Sequence, residues 1–435
     1  MQHHVASLTH ALDSLRRILA SDRARMLWAG IFCLFLCSLF VTDKVRLHRN
    51  IYYVLVLAPF LIQVGRRYWA DLPGSPVFLA ALAFLGYLWI TLFWSSASGG
   101  YVFYNEARTL VILFSFLAIT AFYALNVDDF PRLLAKWLAC VAGVAALVSV
   151  YVFYSGKHIS MLGGLESRAV DIGLAGHPID SAGLYGFVAV FLVFGLIARG
   201  GTKARSQESG VRSQESGGGT NALWSWIGGA ALVAVLVFVV LTQTRGALVG
   251  IALVVGLGLL VQGDRRLLLV LAVLIAAILT VILFSLHHPE GMIGVERRLG
   301  VRGEIWSLAL ERAWERPWFG FGLNEHQNLI SASGELHGVA HNLYLENLHF
   351  GGLVGTFLLL ALAALALRGA WREYRRTGGF LLPAIVLYPL VFGISAGYLT
   401  LSKISPMWIQ FWLPVGLVIA AEIRARRDAD HAGKI

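Results

Sequence analysis

An imidazole followed at once by an amide, His341-Asn342, stands where a long polar stretch runs back into an apolar one, and His337 lies one helical turn before it. With a pKa of about 6.5, an imidazole can take a proton from a hydroxyl nucleophile at neutral pH. Arginines precede it. Arg302 opens the segment Arg302-Gly-Glu-Ile-Trp306, with Arg297 and Arg298 one turn earlier. Their planar guanidinium forks match pairs of phosphate oxygens, so an arginine cluster at a membrane surface suits a lipid-linked phosphate or pyrophosphate, or ordinary anionic headgroups. Arg245 follows Thr242-Gln243-Thr244 between two apolar stretches with almost no loop separating them. A guanidinium costs about 2.5–3.5 kcal/mol at the centre of a membrane helix and less near the interface. Snorkelling, a salt bridge or an anion bound in a cavity would offset that cost.

These residues lie on a chain that is 57% hydrophobic and 14% charged, with a mean hydropathy of +0.70. Such a composition marks an all-α polytopic membrane protein. Apolar stretches long enough to cross about 30 Å of hydrocarbon fall at roughly 26–43, 50–65, 76–95, 108–125, 133–154, 181–198, 222–242, 246–261, 267–286, 342–367, 380–397 and 406–422, about twelve in all. An even count puts both termini on one side. Most of the 35 Lys and Arg fall in the N-terminus, Arg66/Arg67, Arg132/Lys136, 199–212, Arg265/Arg266, 368–376 and 424–434, which makes that face cytoplasmic. The same asymmetry accounts for the net charge of +10 through short loops facing anionic lipid, so no nucleic-acid partner is expected. The first apolar stretch is followed by Asp43-Lys44 rather than a small-residue cleavage site, which reads as a signal anchor.

The chain reads as a single integral membrane domain over 1–435. A direct repeat, Arg205-Ser-Gln-Glu-Ser-Gly210 and Arg212-Ser-Gln-Glu-Ser-Gly217, makes 200–220 a flexible cytoplasmic linker. Two polar loops lie on the opposite face. The shorter, 155–180, carries Lys157, His158, Arg168, Asp171, His177 and Asp180. In the longer, 287–340, Ile305, Trp306, Ala309, Leu310, Ala313 and Trp314 recur at helical spacing and predict an amphipathic interfacial helix, ended by Pro317 and turned by Gly320-Phe321-Gly322. A zinc site is not expected: Gly338 stands where a metalloprotease places glutamate after the first histidine, and further ligands are lacking. Cys33, Cys37 and Cys140 sit within apolar stretches and read as reduced thiols.

The pattern His341-Asn342-x9-Gly352-x-x-Gly355-Thr356 resembles the signature of bacterial O-antigen ligases. Arg302-x3-Trp306 and Pro317-Trp318-Phe319-Gly320-Phe321-Gly322 resemble a segment shared across the wider ligase and polymerase superfamily. The resemblance covers most of the chain in layout and about 242–356 in motifs. It implies a metal-independent, inverting glycosyltransferase of the GT-C type. Such an enzyme would take O-antigen polysaccharide from undecaprenyl pyrophosphate and join it to a lipid A-core sugar, at the periplasmic face of the bacterial inner membrane. His341 matches the family's essential histidine, and Arg245 and Arg302 match its two arginines. Arg298, His337, Asn342 and Arg168 are secondary candidates, and no cofactor is implied. An O-antigen polymerase or a protein O-oligosaccharyltransferase would share these residues and differ in acceptor. A transporter of lipid-linked glycan would instead need charged residues along the spans and related halves.

Overall fold

In a computed structural model, residues 21–97, 99–157, 168–197, 218–287, 289–331, 334–397 and 400–432 are described. The described residues are mostly helical. In order the helices are α1 (Asp22–Ser38), α2 (Val45–Gln63), α3 (Arg66–Gly74), α4 (Pro76–Phe93), α5 (Gly100–Asn126), α6 (Phe130–Lys157), α7 (Pro178–Leu196), α8 (Gly218–Leu241) and α9 (Arg245–Gln262). Then follow α10 (Arg265–His287), α11 (Pro289–Trp314), α12 (Leu343–Thr377), α13 (Leu381–Phe392) and α14 (Trp408–Ala432). Between α11 and α12, β1 (Leu329–Ile330) and β2 (Leu336–His337) pair antiparallel, with Leu329 opposite His337.

Each of the twelve expected apolar stretches overlaps a helix, although 39–43 and 393–397 run past the helix ends. Among the described residues, eight helices are long and apolar enough to cross a membrane, and a ninth is added if α2 and α3, bent by 92° at their junction, count as one broken span. Of the remainder, α1 with 17 residues and α13 with 12 fall short in length, and α10 lies only in part among the described side chains. Helix α13 has 12 residues, about 18 Å at 1.5 Å per residue, and does not reach across about 30 Å of hydrocarbon by itself.

Helix ends follow from their caps. Ser75 accepts from the Phe78 N–H ahead of Pro76, and Gly263 and Gly378 close α9 and α12 in the left-handed conformation that glycine adopts without strain. Between helices in lipid the drive to pack comes from close contact rather than from water exclusion, so small residues sit at crossings. Gly183 and Gly186 of α7 lie directly on Phe392 and Tyr388 of α13, and Gly250 of α9 packs on the same tyrosine. A second cluster of large rings ties α1, α2, α5 and α14 together, with Trp408 against Tyr52 at 5.4 Å and against Phe116 at 4.8 Å.

The linker expected at 200–220 lies outside the described residues up to 217, and 218–220 already open α8. His158 of the shorter loop also lies outside them, whereas Lys157 ends α6. In the longer loop the helix begins at Pro289, well before the periodic stretch that announced it.

Candidate functional site

His341 precedes α12 with φ 51°, a left-handed conformation that is uncommon outside glycine. The helix start behind it is tied down twice. The Asn342 side-chain oxygen accepts from the N–H groups of Tyr344 at 3.0 Å and Leu345 at 3.1 Å, and the Leu343 N–H donates to the Gly393 carbonyl at 2.8 Å. Asn342 therefore serves as the N-cap of α12. The His341 imidazole is half-buried, and its pKa is held below the ordinary value by burial first, then by the charges of Arg302, His177 and His337. Both causes favour the neutral imidazole over the cation.

Arg302 reaches this point because α11 is packed down on the loop that carries His341. Trp306, one turn after Arg302, donates its indole N–H to the Ala340 carbonyl at 3.1 Å. Ile305 and Ala309 form a small core with Leu329 and Ala340. The buried stripe of α11 runs through Ile305, Ala309 and Ala313, whereas Leu310 and Trp314 of the expected apolar face point outward. The helix thus buries one edge of its apolar face on the protein itself and leaves the other edge open. The side chains of Arg297 and Arg298 lie outside the described residues.

Arg245 is the first residue of α9, after the tight turn 242–244 in which Gln243 takes φ 53°. Arg168 locks that turn: its Nε donates to the Thr242 carbonyl at 2.8 Å and its Nη2 to Thr244 Oγ1 at 2.9 Å. The neighbouring Ala169 N–H donates to Leu241 O at 3.0 Å. Gly246 then lies against Ser395, and Gly397 lies against Glu346, so the segment 393–397 joins the Arg245 turn to the start of α12. His177 caps α7, its Nδ1 accepting from the Ile179 N–H at 3.3 Å. His337, on β2, places Nε2 at 4.0 Å from a Glu335 carboxylate oxygen.

The structure thus brings Arg302, His177 and His337 each within electrostatic reach of His341, and links Arg245 and Arg168 to them through packed backbone. Among the described residues, no group of three or more His, Cys, Asp or Glu side chains is arranged to hold a metal ion.

Two residues escaped the reading of the sequence. Glu346, in the first turn of α12, is 3% exposed, with Oε1 lacking any hydrogen-bond partner. Its signal was a carboxylate one turn after a helix cap, where the helix dipole favours negative charge. His349 is buried, stacked on Phe321 at 4.8 Å, with Nε2 at 3.3 Å from the Glu325 carbonyl.

The glycines of the two sequence motifs meet each other. Helix α12 breaks at Gly352, where φ is 62° and ψ −161°. The segment 317–322 pairs with the backbone around that break: Phe321 and Gly322 donate to His349 O (2.8 Å) and Phe350 O (3.0 Å), and Leu353 and Val354 donate to Pro317 O (2.7 Å) and Trp318 O (3.2 Å). A Cβ on Gly320 would lie 2.6 Å from the Gly352 nitrogen. Backbone approaches backbone at that spacing only if both residues are glycine. Gly355 gives Tyr87 its seat, and the Tyr87 hydroxyl donates to Gly351 O at 2.8 Å.

Comparison with known proteins bears on this site directly. Residues 230–360, which hold Arg245, Arg302, His341 and the Gly352 break, match the family model described as O-Antigen ligase. The chain is also 27% identical over 400 residues to an O-antigen ligase of Pseudomonas aeruginosa (strain PAO1), across 91% of this chain and 90% of that protein. The chain resembles bacterial O-antigen ligases in its site motifs and along most of its length.

Proposed function

We propose that this chain is an O-antigen ligase acting at the periplasmic face of the bacterial inner membrane. It transfers a polysaccharide from undecaprenyl pyrophosphate to a sugar of the lipid A-core, as a GT-C-type glycosyltransferase. The observation that carries the proposal is a neutral, half-buried His341 within electrostatic reach of Arg302, on a loop pinned to the start of α12.

In the reaction, an acceptor hydroxyl oxygen attacks the anomeric carbon from the side opposite the pyrophosphate. Its proton passes to the His341 imidazole as the new C–O bond forms. The electron pair of the broken C–O bond goes to the pyrophosphate oxygen, whose growing negative charge Arg245 and Arg302 stabilise. One direct displacement inverts the anomeric centre. The scheme calls on no metal, because the guanidinium groups supply the positive charge at the leaving group. Arg168 holds the turn from which Arg245 projects, and Asn342 fixes the helix end from which His341 projects, so both act by positioning.

The test is transfer by purified protein, given undecaprenyl-pyrophosphate-linked glycan and lipid A-core, with and without chelator, for the native chain and for His341→Ala. Attachment that survives chelator and is lost in the variant supports the proposal. Lengthening of the donor glycan without attachment to lipid A-core replaces it with a polymerase.

A further inference from the structure

A second feature on the same side of the molecule takes no part in that scheme. Between α4 and the segment 316–320 lies a groove of about 610 Å³, lined by Tyr87, Ile90, Trp94, Arg316, Trp318 and Phe319 among others. Trp318 is 65% and Phe319 59% exposed, although the backbone of this segment is fixed by its hydrogen bonds to α12. Large rings held outward at a rigid turn are wasted on water and suit hydrocarbon. Two polar groups sit in this wall. Arg316 has no carboxylate partner among the described residues, its guanidinium resting 5.1 Å from the Phe321 ring centroid. The Trp94 indole N–H is buried with no hydrogen-bond partner. A cation and an unused N–H donor at the edge of an aromatic groove complement a lipid that carries phosphate on its polar end.

Distance decides which lipid. In the donor, phosphate is bonded to the reacting carbon, so donor phosphates belong beside His341. In the acceptor, the phosphate-bearing lipid is separated from the accepting hydroxyl by intervening sugars. From the start of α12 to the Gly352 break is roughly 14 Å along the helix, and the groove lies at the segment clamped to that break. We propose that the groove seats the phosphorylated lipid anchor of the acceptor, with acyl carbon against Tyr87, Ile90, Trp94 and Trp318 and a phosphate on Arg316. The proposal rests on the reading of the chain as a ligase for the identity of the occupant, and on the groove alone for its chemistry.

The experiment measures binding of labelled lipid A-core to the full-length chain in nanodiscs of zwitterionic phospholipid, without donor, for the native chain, Arg316→Glu and Trp318→Ala. The second variant removes only a side chain, leaving the carbonyl that pairs with Val354 in place. Each substitution is expected to weaken lipid A-core binding about tenfold, the effect of losing one charge-assisted or aromatic contact, with undecaprenyl pyrophosphate binding unchanged. The same variants should raise the KM for acceptor and leave the KM for donor as it was. The proposal is overturned if both variants bind lipid A-core like the native chain, if undecaprenyl pyrophosphate binding falls instead, or if excess phosphatidylglycerol displaces lipid A-core as an equal competitor. Binding that depends on Arg316 in a chain that transfers no glycan would leave the groove standing and remove the ligase reading.

Discussion

His341 owes its neutrality to its surroundings, and those surroundings can be edited. Its folded pKa lies below the ordinary value of 6.5 through burial and the charges of Arg302, His177 and His337, so the neutral imidazole that the proposed scheme uses is present above that depressed pKa and is lost as pH falls through it. Replacing Arg302 with Gln removes one of the charges that depress it. The acid limb of the kcat/KM profile should then move to higher pH, while the loss of leaving-group stabilisation lowers the plateau by about 10²–10³. A lowered plateau with an unmoved limb would separate Arg302 from His341. Asp171 illustrates the opposite sign. It is 6% exposed, accepts from the Tyr185 hydroxyl at 2.7 Å and Ser149 Oγ at 3.3 Å, and burial raises its pKa from 3.8 to about 6 against the counter-effect of those hydrogen bonds. A raised carboxyl pKa means that the folded state prefers the proton. The stabilisation is complete below pH 3.8 and disappears as pH rises through 6, a swing on the order of 3 kcal/mol. The unfolding midpoint in detergent should therefore fall between about pH 4 and 6 in the native chain and lose that slope in Asp171→Asn. Parallel slopes for the two proteins would count against this account.

Helix α12 works as two pieces, and the break between them is what the glycine motifs encode. With φ 62° and ψ −161°, Gly352 occupies a region closed to other residues at a cost of about 1–3 kcal/mol, before its Cβ meets the Trp318 carbonyl. Gly352→Ala should lower the thermal midpoint and reduce transfer at least about tenfold, the factor that 1.4 kcal/mol represents, because the 317–322 segment anchors α11 and, through it, Arg302. Full activity with an unchanged midpoint would mean that the clamp does not position the site. Much of this region was legible in the sequence. The Ile305, Ala309, Ala313 repeat announced α11, Pro317 and the Gly-Phe-Gly turn marked its exit, and every apolar stretch overlaps a helix. The rest was hidden for identifiable reasons. Periodicity does not distinguish an apolar edge that meets protein from one left open, so the sequence shows one interfacial face where Ile305, Ala309 and Ala313 are buried and Leu310 and Trp314 are exposed. Residues 289–301 have little apolar repeat, so the first turns of α11 gave no sign. The clamp at Gly352 is made of backbone hydrogen bonds, which leave no trace in side-chain pattern beyond the glycines themselves. The burial of Glu346 gave no signal because it depends on Gly397, 51 positions further along the chain.

The two ends of the helical bundle differ in chemistry. At one end Arg427 meets Asp71 at 2.6 Å, Arg376 meets Asp428 at 3.0 Å, and Ser75 donates to Glu422 at 2.5 Å. This gathers the 66–75, 368–376 and 424–428 basic segments into one surface. The other end gathers the loops of His177, Arg302, His337 and His341. The Arg168 and Arg245 turn lies at that end too, since α9 starts there. Basic loops stay on the cytoplasmic side during insertion, so the site is expected on the opposite face of the membrane and the C-terminal end of α14 inside. This follows from charge placement alone and can be tested without any substrate. In a chain with Cys33, Cys37 and Cys140 replaced by Ala, Glu335→Cys and Asp428→Cys each introduce one thiol at a side chain more than half exposed, 58% and 61%. In intact spheroplasts a membrane-impermeant maleimide should label the thiol at position 335 and spare the one at 428, and permeabilisation should make both react. Labelling of both before permeabilisation would place the two ends on one side and break the link between the basic segments and the cytoplasm. Labelling of 428 alone would invert the chain, putting His341 beside the cytoplasm and removing the physical basis for a transfer reaction on the outer face.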